Sequence, residues 1–335
     1  MATYKEIKGF NVQSISADPS TINVGDIWYN ATSGKLKVGV QSGSWSSGPA
    51  FPVNVTSTQG CGTATAALSM GGNPQLTISA EWDGSSWTTN PGMNTGRFGI
   101  ASFGIQTAGI AVGGDQLPAP ARQCTDTETY NGSTWSNGTA YPIVISIGGG
   151  IGTDAAGLVA GGTTSPGFSI TGATNEYASG TWTAGGAQST TSRAGGSVGT
   201  QTAGLYMGGY TGPNENTSRI TTTQTYDGSS WTNSPIALNN ARNGSGSCGT
   251  QGLALMYGGR FNSPPNPTNI QAFTESFDGS AWSATGTLNV ARDYTGRAGT
   301  TNTSALAWGG NPGPAAPDVT ETFALAGSAE TITTS

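Results

Sequence analysis

Two ladders of residues run through the chain in step, and they constrain its fold more than any other feature. Glycine pairs close short apolar runs at Gly71-Gly72, Gly113-Gly114, Gly161-Gly162, Gly208-Gly209, Gly258-Gly259 and Gly309-Gly310, at spacings of 42, 48, 47, 50 and 51. Tryptophan recurs at Trp45, Trp87, Trp135, Trp182, Trp231 and Trp282, at spacings of 42, 48, 47, 49 and 51. Matched spacings of this length mean one supersecondary unit copied six times. Five residues before each Trp stands a large apolar residue: Val40, Trp82, Tyr130, Tyr177, Tyr226 and Phe277. Arg97, Arg193, Arg242 and Arg292 follow four of the Trp by ten or eleven residues, and Val55 and Ile145 take that place in the other two copies.

Each unit reads as four strands. A stretch of small and apolar residues (Val198-Gly199-Thr200, Ala298-Gly299-Thr300) leads to an apolar strand that ends at the Gly pair, such as Leu205-Tyr206-Met207 or Ala254-Leu255-Met256-Tyr257. A loop and a Thr/aromatic strand follow, for example Thr221 to Tyr226. Asp227-Gly228 or Asn131-Gly132 then turns the chain into the Trp strand. Asn-Gly and Asp-Gly favour hairpin turns with positive φ, and β-branched and aromatic flanks suit strands. No segment holds a helical period. The fold class expected is all-β. The 54 Gly would be compatible with disorder, but nine Trp and a 34% apolar share argue for a packed core.

The period, the Gly pair, the following aromatic and the Trp together resemble the kelch repeat, and the resemblance covers roughly residues 38–325. It implies a six-bladed kelch-like β-propeller. The last copy has Arg292, Gly309-Gly310 and Phe323, but the tail Ala324–Ser335 has no Trp, whereas Trp45 has no Gly pair before it. The N-terminal strand around Trp45 is therefore expected to complete the last blade, which leaves no open edge. The organisation expected is an N-terminal segment with a hairpin over 1–38, a propeller over 39–325 and a tail over 326–335.

All four Lys (Lys5, Lys8, Lys35, Lys37) fall in the N-terminal segment. Ile27-Trp28-Tyr29 and Leu36-Lys37-Val38 form a hairpin pattern joined through Thr32-Ser33-Gly34. The stretch Gly25–Val38 resembles a segment found near the start of tail-fibre and other virion proteins of marine bacteriophages, cyanophages above all. That resemblance implies a virion protein, assembled in the host cytoplasm, whose N-terminal segment docks on other tail or capsid proteins. MATYKEIKGF lacks the apolar core of a secretory signal, and no apolar run reaches the ~18 residues of a membrane span.

Composition removes several chemistries. With no His there is no Ser-His-Asp triad, Cys-His pair or imidazole metal site, and the copper-oxidase chemistry known among kelch-type proteins is excluded. No metal and no cofactor are expected. Twelve scattered cations do not make a nucleic-acid surface. Cys61 and Cys248 lie ten residues before a Gly pair, where other copies have Phe103, Ile151 and Val198, so they read as core residues. Cys124 falls in a loop, free or paired between chains. Glu81, Glu128, Glu176, Glu275, Glu321, Asp83, Asp227 and Asp278 sit at or beside repeat positions, where acids serve the blade. The repeat Arg read the same way, as buried donors near the axis or between blades. The alternative of an Arg cluster gripping a carboxylate, as in sialidases, carries less weight, because Asp83 precedes Trp87 by four residues where the sialidase Asp box has five.

Length varies most between the Gly pair and the next aromatic. The gaps are 10, 16, 15, 17, 18 and 13 residues, while Trp to Arg stays at ten or eleven. Variable loops on a fixed scaffold map to one face, where they either pack over the propeller rim or serve recognition. Gln116, Phe168, Asn214, Glu215, Arg260 and Phe261 are the binding candidates there. The function expected is a non-enzymatic virion structural protein, a tail fibre or tail-tip component whose loops bind a host-surface glycan or protein. The alternatives are a capsid decoration protein binding capsomers, and a carbohydrate-active enzyme on a propeller scaffold. Self-association stays open.

Overall fold

The computed structural model describes residues 12–22, 25–116, 123–165, 169–215, 217–261, 270–311 and 318–333. The candidate Phe168, with Lys5 and Lys8, lies outside them. Among the described residues the regular structure is all strand, with no helix. The chain divides into two compact units, Trp45–Phe323 and the combination of Met1–Ser44 with Ala324–Ser335.

The larger unit has a propeller-like arrangement of five four-stranded antiparallel sheets. Sheet 1 holds Gln59–Gly62, Ala67–Met70, Ser79–Trp82 and Trp87–Asn90; sheet 2 holds Ala101–Ile105, Ala108–Val112, Thr127–Tyr130 and Trp135–Asn137. Sheet 3 holds Gly149–Gly152, Ala156–Ala160, Thr174–Ala178 and Thr181–Ala184; sheet 4 holds Gly196–Thr200, Ala203–Met207, Thr223–Tyr226 and Trp231–Asn233. Sheet 5 holds Gly246–Gly249, Ala254–Tyr257, Thr274–Phe277 and Trp282–Thr285. Gly296–Thr301 and Ser304–Trp308 begin one further sheet, in which Thr320–Thr331 and Lys35–Gly48 come next. The portions 320–323 and 45–48 belong to the larger unit. There the Trp45 and Phe323 rings lie 5.2 Å apart, as do Tyr130 and Trp135 in sheet 2. Phe323, not Val40, thus fills the aromatic place beside Trp45. Sequence spacing misplaces it because the aromatic comes from the opposite end of the chain.

Apolar clusters sit between neighbouring sheets. One joins Leu68 and Met70 of sheet 1 to Ala111, Tyr130 and Trp135 of sheet 2, and another joins Leu306 and Trp308 to Ala67, Ala80 and Trp82 of sheet 1. The Trp ladder spans the same seams: Trp87 Nε1 donates to Thr320 Oγ1 (3.0 Å), Trp231 Nε1 to Thr174 Oγ1 (2.8 Å) and Trp45 Nε1 to Thr274 Oγ1 (3.1 Å). A repeat that the sequence reading passed over does likewise. Gln106, Gln201 and Gln251 donate to the backbone carbonyls of Trp82, Tyr177 and Tyr226 in the preceding sheets.

All twelve ladder glycines have positive φ, which explains the residue type. The second N–H of each pair donates to the next copy: Gly72 to Arg97, Gly114 to Ile145, Gly162 to Ser192, Gly209 to Arg242, Gly259 to Arg292 and Gly310 back to Val55, at 2.8–3.1 Å. These bonds set the register of the repeat. Ser192, not Arg193, stands with Arg97, Arg242 and Arg292. The Trp-to-Arg distance leaves one residue of play, and one residue of extended chain turns a side chain to the opposite side.

The hairpin turns also differ from the two-residue form. Residues 83–86 link the paired Trp82 and Trp87, with Gly84 at φ +95. Asp83 Oδ1 accepts the N–H groups of Ser85 (2.8 Å) and Ser86 (2.7 Å), an Asx cap. Asn131, Asp227 and Asp278 repeat it. The two-residue turn occurs once among the described hairpins of this kind, at Ser179-Gly180 between the paired Ala178 and Thr181.

In the smaller unit Ile27–Asn30 pairs antiparallel with Lys35 to Val38 across a turn at Gly34, as the hairpin pattern implies. Gln13–Ile15 adds in parallel to Ile27–Asn30. Asp18 Oδ1 accepts from Trp28 Nε1 (2.9 Å) and Asn30 Nδ2 (2.8 Å), which lowers the Asp18 pKa. The strand Thr320–Thr331 runs on through 324–331 here, and Ile332 N donates to Leu36 O (3.0 Å). The residues expected to form a separate tail from 326, and those at 39–44 assigned to the propeller, therefore belong to this unit.

Candidate functional site

Three concentric layers are read off each copy, starting at the residue that receives the Gly-pair bond. The first is structural. Arg97, Arg242 and Arg292 are at most 1% exposed. Each ion-pairs with a Glu on the third strand of the sheet that follows it in the chain: Glu128 (2.9 Å), Glu275 and Glu321. Arg97 also donates to the carbonyls of Gly113 (2.8 Å) and Asp126 (2.7 Å). Arg242 lies in the short pair of strands Arg242–Asn243 and Arg260–Phe261, which its ion pair ties to sheet 5. The Glu partners of these Arg reach the incoming loop, as when Asn94 N donates to Glu128 Oε2 (2.7 Å) and Asn289 N to Glu321 Oε2 (2.6 Å). Glu81 and Glu176 sit one residue further along and serve the seam instead, accepting from Tyr130 Oη (2.8 Å) and Tyr226 Oη (2.5 Å) of the following sheets.

The second layer is one residue on and pairs with the residue after each Gly pair: Thr56 with Asn73, Phe98 with Asp115, Ser146 with Thr163, Arg193 with Tyr210, Asn243 with Arg260 and Asp293 with Asn311. Geometry is constant and residue type is not. The most charged stretch centres on Glu215 Oε1, which faces Arg219 Nη2 (3.4 Å), Arg260 Nη1 (3.4 Å) and Asn243 Nδ2 (3.0 Å). Arg219 Nε donates to Asn243 Oδ1 (2.5 Å), and Arg260 Nε to Asp293. Burial lifts the Asp293 pKa to about 6, against the pull of Arg260. Arg193 lies 4.4 Å from the Tyr210 ring centroid, and burial raises the Tyr210 pKa to about 12 with Arg193 opposing. Of the sequence candidates, Glu215 and Arg260 are brought together in this network. Phe261 packs on Phe273 (5.9 Å between centroids). Gln116 donates to Asp126 Oδ2 (2.6 Å), and the backbone of Asn214 caps its loop by accepting from Thr217 N (3.3 Å).

The third layer, another residue on, surrounds the axis. Ser57, Gly99, Ile147, Ala194, Gly244 and Tyr294 all have φ between +47 and +65. Their backbones form a circuit: Gly99 N donates to Ser57 O (3.4 Å), Ile147 N to Gly99 O (2.7 Å), Ala194 N to Ile147 O (3.2 Å), Gly244 N to Ala194 O (2.8 Å), Tyr294 N to Gly244 O (2.6 Å) and Ser57 N to Tyr294 O (2.9 Å). A β-branched or bulky residue in this conformation is a steric outlier, so Ile147 and Tyr294 are held there by the circuit. The two glycines make room for them, since a Cβ on Gly244 would meet the Tyr294 ring at 3.2 Å and one on Gly99 would meet Ile147 Cγ1 at 3.2 Å.

Below the circuit lies a cavity of about 170 Å³, walled by Phe98, Ile100, Ile147 and Tyr294 and reaching Arg297. A second cavity of about 130 Å³ also touches Arg297, among Cys61, Phe103, Ile151, Val198 and Cys248. Cys61 and Cys248 are buried free thiols whose pKa burial pushes up to about 12. Such thiols are poor nucleophiles. Cys124 is free too, with its pKa raised by burial. Arg297 was missed in the sequence. It occupies a position where the other copies have Gly60, Ser102, Gly150, Ser197 and Ser247, and that lone charge in a column of small residues was the available signal.

No protein-family model and no curated protein matches the chain. Among solved structures it is similar to the structure of YjhT, at 13% identity and a TM-score of 0.66, over 84% of this chain and 99% of that one. At that identity the likeness is one of fold, and it accords with a β-propeller.

Proposed function

We propose that the protein is a six-bladed propeller serving as a non-enzymatic binding module of a bacteriophage particle. In this reading the sheet begun by Gly296–Thr301 and Ser304–Trp308 is the sixth blade, completed by residues 45–48. Support comes from the Gly310-to-Val55 and Ser57-to-Tyr294 bonds, which continue from last copy to first the pattern that joins every other pair. The function rests on one observation: around the axial mouth the backbone pairing is the same in each copy while the side chains differ, from Thr56 and Asn73 to Asn243 and Arg260. Constant backbone with varied side chains is how a scaffold presents a recognition surface. Charged groups locked to one another, as Glu215 is to Arg219 and Arg260, bind with little ordering cost.

The resemblance of Gly25–Val38 to phage virion segments gives the surface its context. The smaller unit attaches the protein to tail or capsid, and the loops meet a host-surface glycan or protein. Purified recombinant protein is expected to bind host cells, and Arg260→Ala to weaken that binding at least tenfold. Antibody labelling is expected to place the protein at the tail. Labelling over the capsid at lattice stoichiometry would mean decoration instead, and shortened host polysaccharide after incubation would mean an enzyme.

A further inference from the structure

Among the described residues the axis contains a buried cation with no acidic partner. Arg297 is 9% exposed. Its Nη1 donates to Ser247 Oγ (2.5 Å) and its Nη2 to Ser197 Oγ (2.8 Å), and no carboxylate pairs with it among the described residues. The other buried Arg of the repeat behave differently, since Arg97, Arg242 and Arg292 each meet a Glu. A guanidinium has five donors and is not deprotonated in proteins. Leaving such a charge in a desolvated site without a counter-ion is unfavourable. The titratable groups whose charge would act on it are Tyr257, Tyr206 and Cys248, all buried. Burial raises the pKa of each of the three, so they remain neutral and cannot supply the missing charge.

The surroundings are built as a site. Arg297 is shared by both cavities: it lines the 170 Å³ one with Phe98, Ile100, Ile147 and Tyr294 and with the polar Gln59, Ser245 and Thr295, while its partners Ser197 and Ser247 line the 130 Å³ one. Ile147 and Tyr294 are held over the larger cavity in a conformation that bulky side chains avoid. A cavity with largely apolar walls and one fixed cation among them discriminates by charge and by shape. We propose that this axial cavity binds a small organic carboxylate, with the carboxylate on the Arg297 guanidinium and its short apolar part against Phe98, Ile100 and Ile147. The site is independent of the loop surface around the mouth, since none of its contacts uses Glu215, Arg219 or Arg260.

The test is calorimetry on the full chain at constant ionic strength, with sodium acetate, butyrate, chloride and phosphate as probes. Saturable 1:1 binding of butyrate is expected, tighter than acetate, with binding at least tenfold weaker in Arg297→Gln. Ile147→Gly relieves the positive φ and keeps the cation, so it is expected to fold, to retain acetate binding and to lose the preference for butyrate. Equal binding by Arg297→Gln and wild type would overturn the proposal. So would chloride or phosphate binding as tightly as butyrate, or an absence of butyrate binding to wild type. If Arg297→Gln does not fold, the Ile147→Gly comparison decides alone: an unchanged butyrate preference overturns the proposal.

Discussion

Three copies of the repeat carry an ion pair at a position where the other three carry none, and the contrast shows what that position is for. The residues receiving the Gly-pair bond are Val55, Arg97, Ile145, Ser192, Arg242 and Arg292. The residues two before the strand aromatic are Ala80, Glu128, Asn175, Gln224, Glu275 and Glu321. Every Arg faces a Glu, and no Glu stands where the Arg is missing. A ligand-binding cation would not need a protein carboxylate to change in step with it. The pairing therefore belongs to the scaffold, which is satisfied by an apolar pair in one copy and a buried ion pair in another. That matches the general finding that a buried pair is expensive to break but adds little over apolar residues of similar volume.

The contrast can be broken on purpose. Glu275→Ala alone leaves Arg242 buried and uncompensated, and is expected to destabilise the protein by about 3–5 kcal/mol in chemical denaturation. Converting both partners to the residues of sheet 1, Arg242→Val with Glu275→Ala, is expected to recover part of that loss by removing the uncompensated charge, and to stay below wild type because Val and Ala leave space unfilled and Asn239 N loses its acceptor. A double variant as unstable as the single one would show that Arg242 does more than pair. Tyr226→Phe removes the bond to Glu176 across a seam and is expected to cost about 1 kcal/mol. Tyr130→Phe should behave like it, because Glu81 stands in the same relation.

A further effect is a change of slope with pH. Asp293 has its pKa raised to about 6 by burial, with Arg260 opposing. Its folded form binds a proton more readily than its unfolded form, whose pKa is near 3.9. Stability is therefore expected to fall as pH rises from about 4 to about 6 and then to level off. Asp293→Asn should flatten that segment of the stability profile, and an unaltered slope would assign it to other groups.

Much of this was legible beforehand, because the physical requirements repeat. A Gly pair with positive φ and a Trp at a fixed offset recur wherever the same backbone recurs, so the all-β class and the four-strand order of each sheet could be read directly. Register could not. Arg193 matched the Arg ladder by distance, yet Ser192 occupies the position, since spacing alone does not say which way an extended side chain points. Val40 failed for a related reason, as its expected place is taken by Phe323 from the other end of the chain. The candidate site was legible only as loops. Glu215 and Arg260 lay in the right segments, but their partners Asn243 and Asp293 come from different copies, and nothing local in the sequence joins them. Arg297 was visible only as a departure from a column of small residues that the aligned repeat makes clear.

The proposal that the last copy closes on the first makes the larger unit one uninterrupted ring. Amide hydrogen exchange at Ser57 and Gly310 tests it most directly. Both N–H groups make the closing bonds, so they should exchange as slowly as their counterparts in the other copies, Gly99, Ile147 and Gly244 for the first and Gly72, Gly114 and Gly259 for the second. Fast exchange confined to Ser57 and Gly310, with the other copies protected, would contradict closure and leave an open array of sheets.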